Sequence, residues 1–154
     1  MVDLAIAGEP RLVCDRRELQ RTGKSYTIDS LIEMRAEWGA QQSLCLMMGA
    51  DAIAGINTWH RWDELLDLAH IVVIARPGWQ LPEHGAVARW LSDNRVDSAQ
   101  RLHESAAGLL LVEELRPLAI SSTEIRSIVA AARSARYLLP ERVLEYIQSH
   151  KLYS

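Results

Sequence analysis

The sequence predicts an α/β domain around a mostly parallel sheet, on three observations. Short, continuous apolar runs at residues 44–48 (LCLMM), 71–75 (IVVIA) and 109–112 (LLLV) have the character of strands buried on both faces. Stretches of helical periodicity lie between them, which is the pattern of a parallel sheet with crossover helices. Two of the runs end on ligand-suited residues, Gly49-Ala50-Asp51 and Arg76-Pro77-Gly78. Right-handed crossovers bring such groups to the carboxyl ends of the strands.

The elements follow in order. Residues 1–7 (MVDLAIA) read as the last turns of a helix, closed by Gly8 and Pro10 and lacking a start signal. Residues 12–15 read as a short strand, and 16–24 as a charged connection. In residues 25–38, Ile28, Leu31, Ile32 and Ala36 recur at helical spacing and Gly39 supplies a stop. Residues 59–69 read as one helix, capped by Asn57 or Thr58. A weaker helix falls at 82–94, and 95–107 show no clear period. Residues 121–133 and 140–149 read as a helical tail, with Pro140 at a first helical position. The expected organisation is one domain over 1–154, with 1–116 as the α/β part and 117–154 as the helical part.

Composition bounds the function. A chain of 154 residues, 49% hydrophobic and 24% charged, can bury a substantial core. The net charge is −3 and no dense Lys/Arg run is present, so no nucleic-acid partner is indicated. No apolar run is long enough to span a bilayer, and no secretion signal opens the chain. Cys14 and Cys45 sit in apolar runs and are expected to be reduced core residues of a cytoplasmic protein.

Four motifs carry chemistry. In Ile120-Ser121-Ser122-Thr123-Glu124-Ile125-Arg126, Ser121 and Glu124 fit a capping box. The amides of that first turn, the hydroxyls and Arg126 make an anion site, although a plain capped helix fits the spacing as well. In Met48-Gly49-Ala50-Asp51 the glycine admits a ligand to the backbone and the carboxylate can accept ribose hydroxyls. A strand ending in a turn is the alternative. Trp59-His60 opens a helical stretch, where the indole can stack on a ligand ring or pack on the core. Ser25-Tyr26-Thr27 starts a helix, and Thr27 can bond a carboxylate or serve as a cap. His60 and His70 have no second ligand at metal spacing on the same face, so a metal site is rejected.

The order of these motifs is more specific than any one of them. Ser-Tyr-Thr, Gly-x-Asp, Trp59, Arg-Pro-Gly and Ile-Ser-Ser-Thr-x-Ile-Arg occur in one series, closed by Leu138-Leu139-Pro140, Val143, Tyr146-Ile147 and Leu152-Tyr153. The series resembles bacterial nicotinate-nucleotide adenylyltransferase over essentially the whole chain. The resemblance implies a doubly wound, Rossmann-like parallel sheet with a C-terminal helical tail. It implies adenylyl transfer from ATP to nicotinate mononucleotide, giving deamido-NAD and pyrophosphate, with Mg2+ accompanying ATP. It assigns Tyr26, Thr27, Trp59 and the backbone at Trp59-His60 to nicotinate, and Gly49, Asp51 and Arg76 to ribose and adenine. Ser121, Ser122, Thr123 and Arg126 fall to the phosphates.

The family's opening strand and its Gly-Gly-Thr-Phe-Asp-Pro-x-His-x-Gly-His segment have no counterpart in these 154 residues. The sheet is therefore expected to be incomplete, with residues 12–15 and 44–48 each short of a neighbouring strand. The chain alone is expected to be unstable and catalytically inactive. Three other readings stay open: a start codon further upstream, a non-catalytic nucleotide-binding module, and a sibling adenylyltransferase such as the phosphopantetheine type. Ser25-Tyr26-Thr27 and Trp59 speak against the last. The oligomeric state is not legible.

Overall fold

A computed structural model describes the chain apart from residues 81, 83, 117 and 154. In chain order the elements are helices α1 (Val2–Ile6), α2 (Arg17–Gln20) and α3 (Thr27–Trp38), strand β1 (Cys45–Gly49), helices α4 (Ala50–Ala54) and α5 (Leu65–Leu68), and strand β2 (His70–Ala75). Helix α6 (Gly85–Asn94), strands β3 (Arg95–Val96) and β4 (Leu110–Glu114), and helices α7 (Ser122–Ala130) and α8 (Glu141–Ser149) follow. The chain divides into two compact units, Arg17–Pro117 and Met1–Arg16 with Leu118–Ser154.

The Arg17–Pro117 unit holds a four-stranded sheet in the order β1-β2-β4-β3, parallel throughout. The apolar run of β2 is explained by its two faces. Ile71, Val73 and Ala75 point into a core with Ile28 and Leu31 of α3, Ile53 of α4, Leu65 of α5 and Leu91 of α6. Val72 and Ile74 point the other way, into a smaller cluster with Leu102 and Leu111. Side chains alternate along a strand, so a run buried on both faces must be apolar at every position. Full burial of each such side chain contributes about 1.5–3 kcal/mol.

Two polar groups tie this unit together. Arg35 of α3 donates from Nε to Leu68 O at 2.6 Å, and from its terminal nitrogens to Gln42 O and Ala106 O. His70, fully buried, accepts the Leu109 N–H at Nδ1 (3.1 Å) and meets Ser105 O at Nε2 (3.0 Å). An Nδ1 that accepts leaves the proton on Nε2, which then donates to Ser105 O.

Several expectations need correction. Residues 12–15 form no strand: they are irregular, and Leu12 and Val13 are exposed. The Leu12 N–H donates to Glu9 O at 3.1 Å, a local turn in place of a strand ladder. Cys45 is not a core residue. It is exposed on β1, one of the two edge strands of the sheet, while Cys14 is half-buried. The single helix expected over 59–69 is replaced by a turn at 59–61, a 3-10 turn at Trp62–Glu64 and α5. The break is Arg61, whose φ of 53° is left-handed. A bidentate pair with Glu64, at 2.8 and 2.6 Å, holds it there. Asn57 and Thr58 therefore sit inside a 3-10 turn and cap no helix. Strand β3 and a 3-10 turn at Ala99–His103 lie within residues 95–107, which carry no clear period, and helix α4 begins within the Gly49-Ala50-Asp51 motif.

The other unit contains α1, α7 and α8. Ser121 caps α7, its Oγ accepting the Glu124 N–H at 3.1 Å, as the capping box predicts. Pro140 precedes α8 as its N-cap and is not its first helical residue. Val143, Leu144 and Ile147 form the buried stripe of α8. Ser121→Ala is expected to lower the stability of α7 by about 1 kcal/mol. Helical circular dichroism during thermal melting would check this, and an unchanged melt would remove the cap from the account.

Candidate functional site

Ser25, Tyr26, Thr27, Thr58, Trp59 and His60 line one concavity of about 270 Å3. Two separate segments build it. Tyr26 is the N-cap of α3 and Thr27 its first helical residue, and no side chain caps this helix start. The Asp29 and Ser30 N–H groups donate to Tyr26 O at 3.1 and 3.3 Å. The N–H groups of Thr27 and Ile28 precede that ladder, so the positive end of α3 faces the rim. On the opposite wall, Trp59 follows the Ile56–Thr58 turn in extended conformation, half-buried against the main core. The exposed His60 ring meets Tyr26, with centroids 4.5 Å apart and planes 37° apart.

The backbone at Trp59-His60 is not uniformly free. The Trp59 N–H donates to Ile56 O at 2.9 Å, which leaves the His60 N–H without a partner among the described residues. The Arg61–Glu64 pair fixes the chain just beyond. The Arg61 hydrogen bond holds the Glu64 carboxyl below its ordinary range, and Glu64 raises the Arg61 guanidinium in return.

A second cavity, about 320 Å3, opens at the carboxyl ends of the parallel strands and takes in Gly49, Asp51, Arg76, Trp79, Leu115 and Arg116. Gly49 ends β1 and precedes α4, and nothing lies within 4 Å of where a Cβ would stand. Asp51 is in the first turn of α4. The Trp79 N–H closes on Arg76 O at 3.0 Å, with Pro77 and Gly78 between and a Gly78 φ of 81°. That is a type II turn, which needs glycine at its third position. It returns Trp79 to the cavity wall. The sequence reading used Arg76 and missed Trp79, although the Pro-Gly pair signals a turn that brings the next residue back. Leu115 and Arg116 carried no such signal.

Ser121, Ser122, Thr123 and Arg126 belong to the other compact unit, at the start of α7. All four are exposed. Arg126 donates from Nη2 to Thr123 Oγ1 at 3.3 Å, which holds the guanidinium against the first turn of the helix. Among the described residues no group of three or more His, Cys, Asp or Glu is gathered, and no helix is long and apolar enough to cross a membrane.

A larger concavity, about 570 Å3, runs along the outside of α6 between His84, Arg89 and Arg95. None of the residues singled out from the sequence lines it.

The cytidylyltransferase-like family model matches residues 1–128. A Cellvibrio japonicus protein named "Probable nicotinate-nucleotide adenylyltransferase" is 45% identical over 153 residues, 99% of this chain and 72% of that protein. A Pseudomonas aeruginosa protein of the same name is 44% identical, over 99% of this chain and 71% of its own length. Among solved structures, the Plasmodium falciparum nicotinic acid mononucleotide adenylyltransferase complexed with APC matches with a TM-score of 0.56 at 16% identity. The match covers 86% of this chain, which spans 60% of that one. At that identity the likeness shows the fold.

Proposed function

The chain belongs to the cytidylyltransferase-like family and, within it, to the nicotinate-nucleotide adenylyltransferases, and on that premise we propose that it serves cytoplasmic adenylyl transfer from ATP to nicotinate mononucleotide. The products are deamido-NAD and pyrophosphate. The observation that carries this reading is the concavity shared by Ser25-Tyr26-Thr27 and Thr58-Trp59-His60.

The indole of Trp59 offers a face for the pyridine ring. The Thr27 hydroxyl and the His60 N–H are donors for the ring's carboxylate. Asp51 accepts from ribose hydroxyls, beside the open space at Gly49, and Arg76 lies on the nucleotide side. At α7 the first-turn amides, Ser121, Ser122, Thr123 and Arg126 suit the phosphates of ATP. The chemistry is displacement at phosphorus: a phosphate oxygen of the mononucleotide bonds to the α-phosphorus of ATP as the bond to pyrophosphate breaks. Such a step needs positioning and charge stabilisation and no covalent enzyme intermediate. Mg2+ enters as the companion of ATP, its ligands being chiefly phosphate oxygens and water.

Two titrations test the assignment. Tryptophan fluorescence follows nicotinate mononucleotide, and calorimetry follows ATP with Mg2+. Thr27→Val is expected to weaken the mononucleotide alone, and Arg126→Ala to weaken ATP alone, each by about tenfold. A folded chain that bound neither ligand would sink the proposal.

A further inference from the structure

Arg21 takes no part in lining the concavity, yet it reaches the segment that forms one of its walls. It stands in the bend after α2. Its guanidinium donates from Nη1 to Ser25 Oγ at 3.0 Å and from Nη2 to Glu33 Oε1 at 2.7 Å. Between these, Ser30 Oγ lies 3.4 Å from each terminal nitrogen. The Arg21 side chain is 16% exposed, so it is not the loose surface partner that Arg11, at 85%, is to Glu9.

The three acceptors are not equivalent. Ser30 and Glu33 stand three residues apart on α3 and share one of its faces. Ser25 lies outside the helix, just before the Tyr26 N-cap. One planar fork therefore grips both the body of α3 and the chain that enters it. Buried Ser30 donates in turn to Glu18 Oε1 of α2 at 2.8 Å, which holds the arrangement from the other side. No side chain caps the start of α3. The angle at which Ser25-Tyr26-Thr27 meets the helix then depends on the tether from Arg21. A hydroxyl that accepts from a guanidinium keeps its own proton for another acceptor. Ser25 is exposed and lines the concavity, so that proton is available there.

Resting on the assignment of this concavity to nicotinate mononucleotide, we propose that Arg21 is a positioning residue for that ligand, acting through Ser25 without touching the ligand itself. It sets the Ser25 hydroxyl and, with it, the Tyr26 ring, which meets His60 of the other wall with centroids 4.5 Å apart. ATP, assigned to other residues, gains nothing from the tether.

The 154-residue chain is titrated with nicotinate mononucleotide and, separately, with ATP and Mg2+. Arg21→Met removes the fork and keeps an apolar stem, and is expected to weaken the mononucleotide about fivefold while leaving ATP unchanged. Ser25→Ala is expected to do the same. In the double variant the loss is expected to equal that of Ser25→Ala alone, because Arg21 has nothing left to act through. A merely structural role gives another pattern, in which both ligands weaken together or the two losses multiply. Either pattern overturns the proposal, as does a methionine variant that binds both ligands as the parent does. Arg21→Lys keeps an ion pair with Glu33 and guards against a methionine variant that does not fold. It is expected to share the mononucleotide loss, since one ammonium does not span Ser25 and Glu33 as the fork does, and parental affinity in it overturns the tether. Failure of the underlying assignment looks different: the unaltered chain binds no mononucleotide, while amide exchange at Tyr26 and Thr27 still quickens in Arg21→Met. The positioning role then falls with the assignment.

Discussion

Replacing Arg35 by leucine is expected to lower folding stability by about 3 kcal/mol, because one guanidinium serves carbonyls from three separate segments. Leu68 O ends α5, Gln42 O lies in the turn before β1, and Ala106 O lies in the loop before β4. Truncation removes three hydrogen bonds at once from a half-buried arginine, so the loss exceeds that of an ordinary surface arginine. Lysine is expected not to rescue the protein, since a single ammonium cannot reach three divergent acceptors. Urea unfolding of the two variants checks this. A leucine variant within 0.5 kcal/mol of the parent, on the order of a neutral surface change, would remove the clamp from the account. The effect also reaches the site, because α3 carries Tyr26 and Thr27 at its far end.

Trp59→Ala is expected to weaken nicotinate mononucleotide by about 1–3 kcal/mol, the range found when an aromatic platform is removed from beneath a stacked base. The indole also packs on the main core, so the alanine variant should lose stability as well as binding. Trp59→Phe separates the two effects. It retains an aromatic face and most of the packing, and should recover much of the affinity. Calorimetric titration at a temperature where all three proteins are folded gives the comparison. Equal dissociation constants for the parent and the alanine variant would show that the indole is a core residue and nothing more.

Strand β2 was legible because it is buried on both faces, which writes itself as an unbroken apolar run, whereas β1 carries such a run although Cys45 and Met47 on one of its faces are exposed. Strand β3, at Arg95–Val96, is too short to leave any pattern, and α4 is a five-residue helix that begins inside the Gly-Ala-Asp motif, at Ala50. The helix expected over 59–69 fails at Arg61, where a left-handed backbone is held by a side-chain pair that no periodicity announces. Residues 12–15 show the converse: an apolar run stays irregular where its backbone enters a local turn, the Leu12 N–H bonding Glu9 O. For the site, the order of motifs named Ser25-Tyr26-Thr27 and Trp59-His60, and the fold lines one concavity with them. What the sequence could not reveal is the state of individual atoms. The Trp59 N–H is spent on Ile56, and only a three-dimensional arrangement distinguishes it from its neighbour at His60.

The paired bonds of His70 make that ring a natural spectroscopic gauge. With Nδ1 accepting from Leu109 and Nε2 donating to Ser105, the two ring nitrogens are chemically unlike, one pyridine-like and one pyrrole-like. Solvent-exposed imidazoles exchange tautomers rapidly and average that distinction away. In a nitrogen-15 spectrum of the chain's five histidines, the signals of His70 should stand apart for as long as the loop over 105–109 stays docked on β2. Their collapse toward the average would time the opening of that loop, in a protein carrying neither mutation nor label beyond the isotope.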